Sequence, residues 1–178
     1  GIMALCNIVI KYPNIPAISL PAATAFQSLS AQPTIAHTMV FEGSVNALGT
    51  LLKQSEDLGT MCQSLYALCN LCKQHENHES IVKQDMLPIL QQLCNAEDAK
   101  VKDLVALAFL LLSLHKNSHK HIVSAGASSS IISLSQSELV STKCRCAITL
   151  CNLSLYDLGV HKMVSEGIIP ALVDLMNT

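Results

Sequence analysis

The chain has 178 residues, half of them apolar and 13% charged, which is enough for a sizeable core and excludes an intrinsically disordered chain. Aromatic residues make up only 3% and there is no Trp, a composition that suits helices packed on helices better than β-sheets. The net charge of −2 and the lack of a basic tract argue against nucleic acid or an anionic membrane as the primary partner.

The sequence favours an intracellular protein that does not insert into a membrane. The first residues already fit the helical pattern described below rather than a secretory signal, and the longest apolar run, residues 104–112, is too short to span a bilayer. The eight cysteines lie mostly at apolar positions of helical segments, without the spacing of a disulfide framework. We therefore predict a cytosolic location, with the cytoskeleton, the cilium or the nucleus as alternatives.

Four apolar anchors recur at nearly equal intervals along the chain: Met39, Ile81, Ile122 and Met163. Their spacing falls within the period of about 40–47 residues that is typical of helical solenoids. Each anchor lies in a short first helix, which is predicted to end at a break four residues later. The breaks are Gly43, Asp85, Gly126 and Gly167. Glycine suits such a break because it tolerates a positive φ.

Two further helices are predicted after each break. The second helix is predicted at 45–53, 86–94, 128–135 and 168–176. Its apolar residues fall on one helical face, and Pro88 and Pro170 lie in its first turn, where a missing N–H costs nothing. The third and longest helix is predicted at 57–73, 99–114 and 139–155.

The third helices are predicted to end in a shared motif: LYALCNLC at 65–72, AITLCNLS at 147–154 and MALCNI at 3–8. The second helices share DMLPILQQL at 85–93 and GIIPALVDL at 167–175. In register, these motifs resemble the armadillo repeat family. HEAT repeats, the nearest structural rival, usually lack the short first helix and its glycine break. The resemblance implies an all-α fold: a right-handed α-solenoid (superhelix) of armadillo repeats with three helices per repeat.

We predict one array over 1–178, a fragment of a longer one. Its repeats are placed at about 34–74, 75–115 and 116–157, with partial repeats at 1–20 and 158–178 and an irregular repeat at 21–33. The irregular repeat is too short, because the interval from Ile18 to Ser30 is less than half the corresponding interval in the other repeats. Either this repeat is truncated, or residues are missing between Leu20 and Pro21.

The resemblance also implies where a partner binds. In the family the third helices line a concave groove that binds extended peptides, and the groove Asn matches Asn7, Asn70 and Asn152. A carboxamide both donates and accepts hydrogen bonds, so it can hold a peptide backbone. Ser30 and Ser113 replace this Asn in the other repeats. The alternative is that each Asn is a helix-end residue bonded to a neighbouring carbonyl.

One turn before this Asn, nuclear-import members of the family carry Trp. The corresponding residues here are Met3, Phe26, Tyr66, Phe109 and Ile148. The Trp residues form slots for lysine side chains, so their absence disfavours a nuclear import receptor.

Charged and polar side chains lie further back along the predicted third helices. Gln63 and Arg145 are two turns before the landmark position, and Lys102 is three turns before it. A groove with Lys102 and Arg145 could select an acidic segment. The alternative is an ordinary solvated helix face.

The one arrangement that resembles a metal site is Cys69, Cys72, His75 and His78, since zinc accepts thiolate and imidazole ligands. We interpret these residues instead as core thiols followed by polar loop histidines, and predict neither a metal nor another cofactor. The sequence contains no Gly-rich phosphate loop and no nucleophile–base constellation, so we predict that the protein is not an enzyme.

The function that this sequence favours is a non-catalytic scaffold or adaptor that holds a peptide or helix of another protein in the third-helix groove, within a larger complex. The alternative is a structural subunit of a cytoskeletal or axonemal assembly, which would make its contacts through outer helices and loops.

Overall fold

A computed structural model describes residues 1–176, which form thirteen α-helices and two short 3-10 helices, without a strand in that range. The α-helices are α1 (Ile2–Lys11), α2 (Pro16–Ser30), α3 (Pro33–Phe41), α4 (Ser44–Gln54), α5 (Leu58–Cys72), α6 (His78–Lys83), α7 (Met86–Leu93), α8 (Ala99–Ser113), α9 (Lys116–Ser124), α10 (Ala127–Leu134), α11 (Val140–Ser154), α12 (Val160–Ser165) and α13 (Ile168–Met176). The 3-10 helices are His75–Asn77 and Asp157–Gly159. The all-α prediction is confirmed.

The helices follow one another in the predicted three-helix order. First helices are α3, α6, α9 and α12; second helices are α1, α4, α7, α10 and α13; third helices are α2, α5, α8 and α11. Each third helix has 15 residues. The chain divides into two compact units, residues 1–89 (unit 1) and the residues from 90 onward (unit 2).

The break between first and second helices has the predicted backbone. Gly43, Gly126 and Gly167 have φ values of 91°, 74° and 93°, in the left-handed region that a side chain disfavours. Asp85 holds the same place with φ of 55°. It is the one residue other than glycine with a positive φ in the described range, and Asp tolerates this conformation better than most residues.

In unit 1, α2 packs along α5 and α1 packs on α4. The core between them contains wholly buried Phe26, Leu48, Leu65 and Leu68. Asp57 is the N-cap residue of α5, and its carboxylate accepts hydrogen bonds from the Thr60 backbone nitrogen at 2.6 Å and the Thr60 hydroxyl at 2.7 Å. These bonds lower the pKa of Asp57 and fix where the helix starts.

In unit 2, α8 packs along α11 and α10 packs on α11. Phe109, Leu112, Ile131 and Leu150 are wholly buried there. Helix α8 begins as α5 does: the Asp98 carboxylate accepts hydrogen bonds from the backbone nitrogens of its first turn at 2.9 and 3.0 Å.

The structure corrects the predicted repeats at 1–20 and 21–33. The MALCNI segment lies in α1, which is a second helix, because the Cys6 thiol contacts the Ser44 hydroxyl at 3.7 Å at the start of α4, another second helix. The third helix of this repeat is α2, which runs without a break through Leu20 and Pro21. In this arrangement α1 is the second helix that precedes α2. Asn and Cys near a helix end are not specific to third helices.

Candidate partner-binding surface

The third helices carry the candidate surface, and the structure sets their register. Four residues occupy the same position, two before the last residue of the helix: Ser28, Asn70, Leu111 and Asn152. The equivalence of Ser30 and Ser113 to the Asn residues is therefore wrong by two positions. The sequence carried the correct signal, because all four true equivalents lie eleven residues before the anchors.

Ser30 and Ser113 are buried and have a different role. The Ser30 hydroxyl donates to the Gln27 carbonyl at 2.9 Å, and the Ser113 hydroxyl donates to the Leu110 carbonyl at 2.7 Å. Each serine oxygen then accepts a hydrogen bond from the Asn of the next third helix. The Asn70 amide donates to Ser30 at 3.2 Å, and the Asn152 amide donates to Ser113 at 3.0 Å.

The two Asn side chains differ in what they leave for a partner. Asn70 also donates to the Gln27 carbonyl at 3.4 Å, and its own carbonyl oxygen accepts from the Lys73 ammonium at 2.8 Å. Asn152 makes one hydrogen bond, to Ser113. Asn152 therefore keeps its carbonyl oxygen and one amide N–H for a partner, whereas both ends of the Asn70 carboxamide are already engaged.

In unit 1 the surface around Asn70 is mostly polar. Gln63 is half-buried and Tyr66 is 36% exposed, and both lie on the same face of α5 as Asn70 and Lys73. The equivalent face of α2 carries small residues: Ala17, Pro21, Thr24, Ser28 and Ala31.

In unit 2 the equivalent surface is apolar. We call leucine patch the residues Leu107 and Leu111 on α8, Leu114 directly after α8, Ile148 on α11 and Leu155 directly after α11. Leu114, Ile148 and Leu155 are 64%, 48% and 65% exposed. Asn152 lies on the same face of α11 as Ile148 and Leu155, from which it is separated by four and three residues. The patch thus surrounds a single amide with free hydrogen-bonding capacity.

Three predicted groove residues lie elsewhere. Phe109 is wholly buried in the core of unit 2, and Ser113 is buried at the end of α8. Asn7 is exposed on α1, a second helix. Phe109 and Ser113 are not on the third-helix surface, because the predicted register was shifted by two residues. Asn7 lies apart from the third-helix residues, because its segment is a second helix.

Arg145 is held within unit 2. Its guanidinium pairs with the Asp103 carboxylate and donates to the Asp103 backbone carbonyl at 2.8 Å. The Ser141 and Thr142 hydroxyls donate to the same carboxylate at 2.8 and 3.0 Å. Burial alone would raise the pKa of Asp103, but these hydrogen bonds outweigh it and lower the pKa. Arg145 is therefore neutralised and is a weak candidate for binding an acidic partner.

Lys102 is half-buried at the beginning of α8. It lines an open cleft of about 290 Å³ with Asn95, Ser133 and Ser137. It also lines an adjoining cleft that contains Glu97 and Glu138. These two carboxylates offset the lysine charge, so this corner has no strong preference for an anion.

The four Cys and His residues of the candidate metal site do not assemble. The His78 ring donates from Nε2 to the Cys72 carbonyl at 2.6 Å, and both residues are buried. Burial raises the pKa of the Cys72 thiol well above its usual value, and His75 is exposed beside Glu76. Between residues 1 and 176 no three His, Cys, Asp or Glu side chains are placed to hold a metal ion. Cys69 is a buried core residue.

A second buried histidine, His119, occupies the position in unit 2 that His78 occupies in unit 1. The structural role of these two histidines was not predicted from the sequence. The His119 ring donates to the Ser113 carbonyl at 2.7 Å. Each ring satisfies a carbonyl at the C-terminal end of a third helix, which the helix itself leaves unpaired. Each histidine thereby links the first helix of one repeat to the third helix that precedes it through a hydrogen bond.

Comparisons with known proteins support the fold. No family model matches the sequence, and no curated protein is significantly similar to it. Solved structures are similar: an engineered protein shares 22% identity at a TM-score of 0.87, over 99% of this chain and 72% of its own. A designed armadillo repeat protein in complex with the peptide (KR)4 shares 14% identity at the same TM-score, over 100% of this chain and 75% of its own.

Another similar structure is of computationally designed armadillo repeat proteins for modular peptide recognition, with 14% identity and a TM-score of 0.87 over 100% of this chain and 75% of its own. The class of protein is therefore an all-helical repeat protein with three helices per repeat. More particularly, the chain has an armadillo-like repeat fold. In residues 1–176, no helix is both long and apolar enough to cross a membrane.

Proposed function

We propose that the chain is a non-catalytic scaffold that binds an extended segment of another protein on the surface of its third helices. The observation that carries this proposal is Asn152, which keeps a free carbonyl oxygen and a free N–H on an exposed helix face. An extended peptide presents the matching donor and acceptor in its backbone. The similarity to designed proteins for modular peptide recognition supports the same function.

The two Asn residues have unequal roles in this proposal. Asn152 is the backbone clamp. Asn70 would have to give up the hydrogen bond that it accepts from Lys73 before it could accept one from a peptide, so it contributes less to peptide binding. We further propose a reducing location such as the cytosol, because none of the eight cysteines, all within residues 1–176, forms a disulfide bond and six of them are buried.

The test is selection of a displayed library of unstructured peptides against the purified chain, followed by fluorescence anisotropy with the selected peptides. We expect Asn152→Ala to weaken binding by about tenfold, the loss of roughly 1.4 kcal/mol for a hydrogen-bonded pair. Asn70→Ala should weaken it by less than about threefold. Phe41→Ser is the control, since Phe41 is 88% exposed at the end of a first helix.

Two outcomes would contradict the proposal. If no peptide is selected, the third-helix surface is not a peptide site. If Phe41→Ser abolishes binding while Asn152→Ala leaves it unchanged, outer helices make the contacts. That second result would favour a structural subunit of a larger assembly.

A further inference from the structure

The two units differ in the chemistry of their third-helix faces. The stretches 104–114 and 146–155, which form the C-terminal parts of the α8 and α11 pair, contain no Asp, Glu, Lys or Arg. The corresponding face in unit 1 carries Gln63, Tyr66, Asn70 and Lys73. A partner segment that covers the leucine patch would gain by burying apolar side chains and would have no charge to pair with.

We propose that unit 2 binds an extended peptide that places one or two large apolar side chains, such as leucine, on the leucine patch while its backbone pairs with Asn152. This inference rests on the proposed function and names the class of its ligand. Its support comes from three features of unit 2: the size of the patch, the state of Asn152 and the fixed charges beside it.

The area of the patch limits how many side chains of a partner it can bind. From Leu107 to Leu114 is two turns, about 10 Å along the helix axis, and packed helices lie about 8–10 Å apart. The patch therefore covers on the order of 100–200 Å². A stable interface with a second copy of the chain needs about 800 Å² on each partner, so the patch is too small for self-association. It is the right size for one or two side chains.

Asn152 decides the conformation of the ligand. A helical ligand uses its own backbone N–H and C=O groups internally, so it has none to offer to the carboxamide. In an extended peptide, alternate side chains point to the same face and lie about 7 Å apart. Two such side chains fit within the length of the patch, with the peptide unit between them free to pair with Asn152.

The two charges that precede the patch along α8 and α11 are engaged with each other. Arg145 and Asp103 neutralise each other in the N-terminal halves of α11 and α8. On this side of the patch a peptide would therefore find neither a free carboxylate nor a free cation. Affinity for the apolar ligand should accordingly change little between low and high salt.

The experiment uses the intact chain and three fluorescein-labelled octapeptides. One alternates leucine with serine, the second alternates alanine with serine, and the third alternates lysine with arginine. Binding is measured by anisotropy at 50 and 500 mM salt. We expect the leucine peptide to bind at least tenfold more tightly than either of the others, with less than a twofold effect of salt.

Two patch variants, Leu114→Ser and Leu155→Ser, should each weaken binding of the leucine peptide by about tenfold. Leu158→Ser is the matched control, since Leu158 is 87% exposed but lies in a 3-10 helix outside the patch. Because all three side chains are exposed, circular dichroism should show folded variants with unchanged melting temperatures.

The possible failures can be told apart. If the lysine–arginine peptide binds more tightly than the leucine peptide, or if the patch variants match the Leu158→Ser control, the inference is wrong. If peptides selected from the library need Asn152 but the leucine peptide does not bind, the inference is also wrong, while the proposed function stands. If neither library nor synthetic peptides bind, both fail.

Discussion

Asp103 holds the third helices of unit 2 together, and its substitution by Asn tests that role. Asp103→Asn keeps the shape of the side chain but removes the charge that Arg145, Ser141 and Thr142 bond to. A hydrogen bond to a charged group contributes about 1.5–3 kcal/mol. The Asp103 and Arg145 side chains are 21% and 26% exposed, so solvent screens part of this. We expect the free energy of unfolding at pH 7 to fall by an amount near the lower end of that range, about 2 kcal/mol.

The effect should depend on pH with a defined sign. The pKa of Asp103 is lower in the folded chain than its usual value. A carboxylate of this kind stabilises the fold fully above its unfolded pKa of about 3.9, and the contribution is lost as pH falls through the folded pKa. The difference between wild type and Asp103→Asn should therefore be largest at neutral pH and shrink as pH falls from about 5 to 3.

Urea unfolding followed by circular dichroism at pH 7, 5 and 3 measures that difference. Asp174→Asn is the matched control, because Asp174 is exposed on α13, and it should change the free energy of unfolding by less than about 0.5 kcal/mol. A difference for Asp103→Asn that is absent at pH 7, or equally large at pH 3, would refute the structural role given to this ion pair.

Three further predictions concern the backbone and the buried histidines. Gly126→Ala should lower the free energy of unfolding by about 1–2 kcal/mol, because the φ of Gly126 is 74°. Asp85→Gly should raise the free energy of unfolding by up to about 1 kcal/mol. If urea unfolding shows that Gly126→Ala stabilises the chain and Asp85→Gly destabilises it, the role given to these breaks is contradicted. His119→Ala should lower the free energy of unfolding by about 1–3 kcal/mol, because it leaves a buried carbonyl unpaired. It should also speed hydrogen exchange in α9 and in the last turn of α8. The control is His121→Ala, because His121 lies on the same helix but is half-exposed. Pro21→Ala should raise the free energy of unfolding by about 1–3 kcal/mol, because alanine restores an N–H inside α2; a loss of stability would mean that 16–30 is not one helix.

The helices from residue 33 onward could be predicted from the sequence because their spacing repeats. The nearly equal intervals between the anchors placed the first helices, and the glycine that follows three of the four anchors marked the breaks. The same spacing also gives the register of the candidate surface. Choosing Ser30 and Ser113 by residue type, instead of counting eleven residues back from each anchor, brought the buried Phe109 into the predicted groove.

The availability of each side chain could not be predicted from the sequence, because it depends on contacts between residues of neighbouring repeats, far apart along the chain. Asn70 and Asn152 are preceded by the same dipeptide, Leu-Cys. Only the structure shows that Asn70 donates to both Gln27 and Ser30 of the preceding third helix, whereas Asn152 donates to Ser113 alone. Arg145 likewise resembles a free cation until its partner Asp103 is seen.

The polar groups of the third helices therefore form two sets: those that bond one repeat to the next, and those that remain available to a partner. Ser30, Ser113, Asp103 and Arg145 join one repeat to the next, and Asn70 is committed to the same task. Each such bond links only neighbouring repeats, so the stability of the array is a sum of local terms. A partner cannot use these groups without weakening the array that holds them. Binding must then depend on what remains unengaged, which in unit 2 is the carbonyl oxygen and the second amide N–H of Asn152 and the leucines beside it.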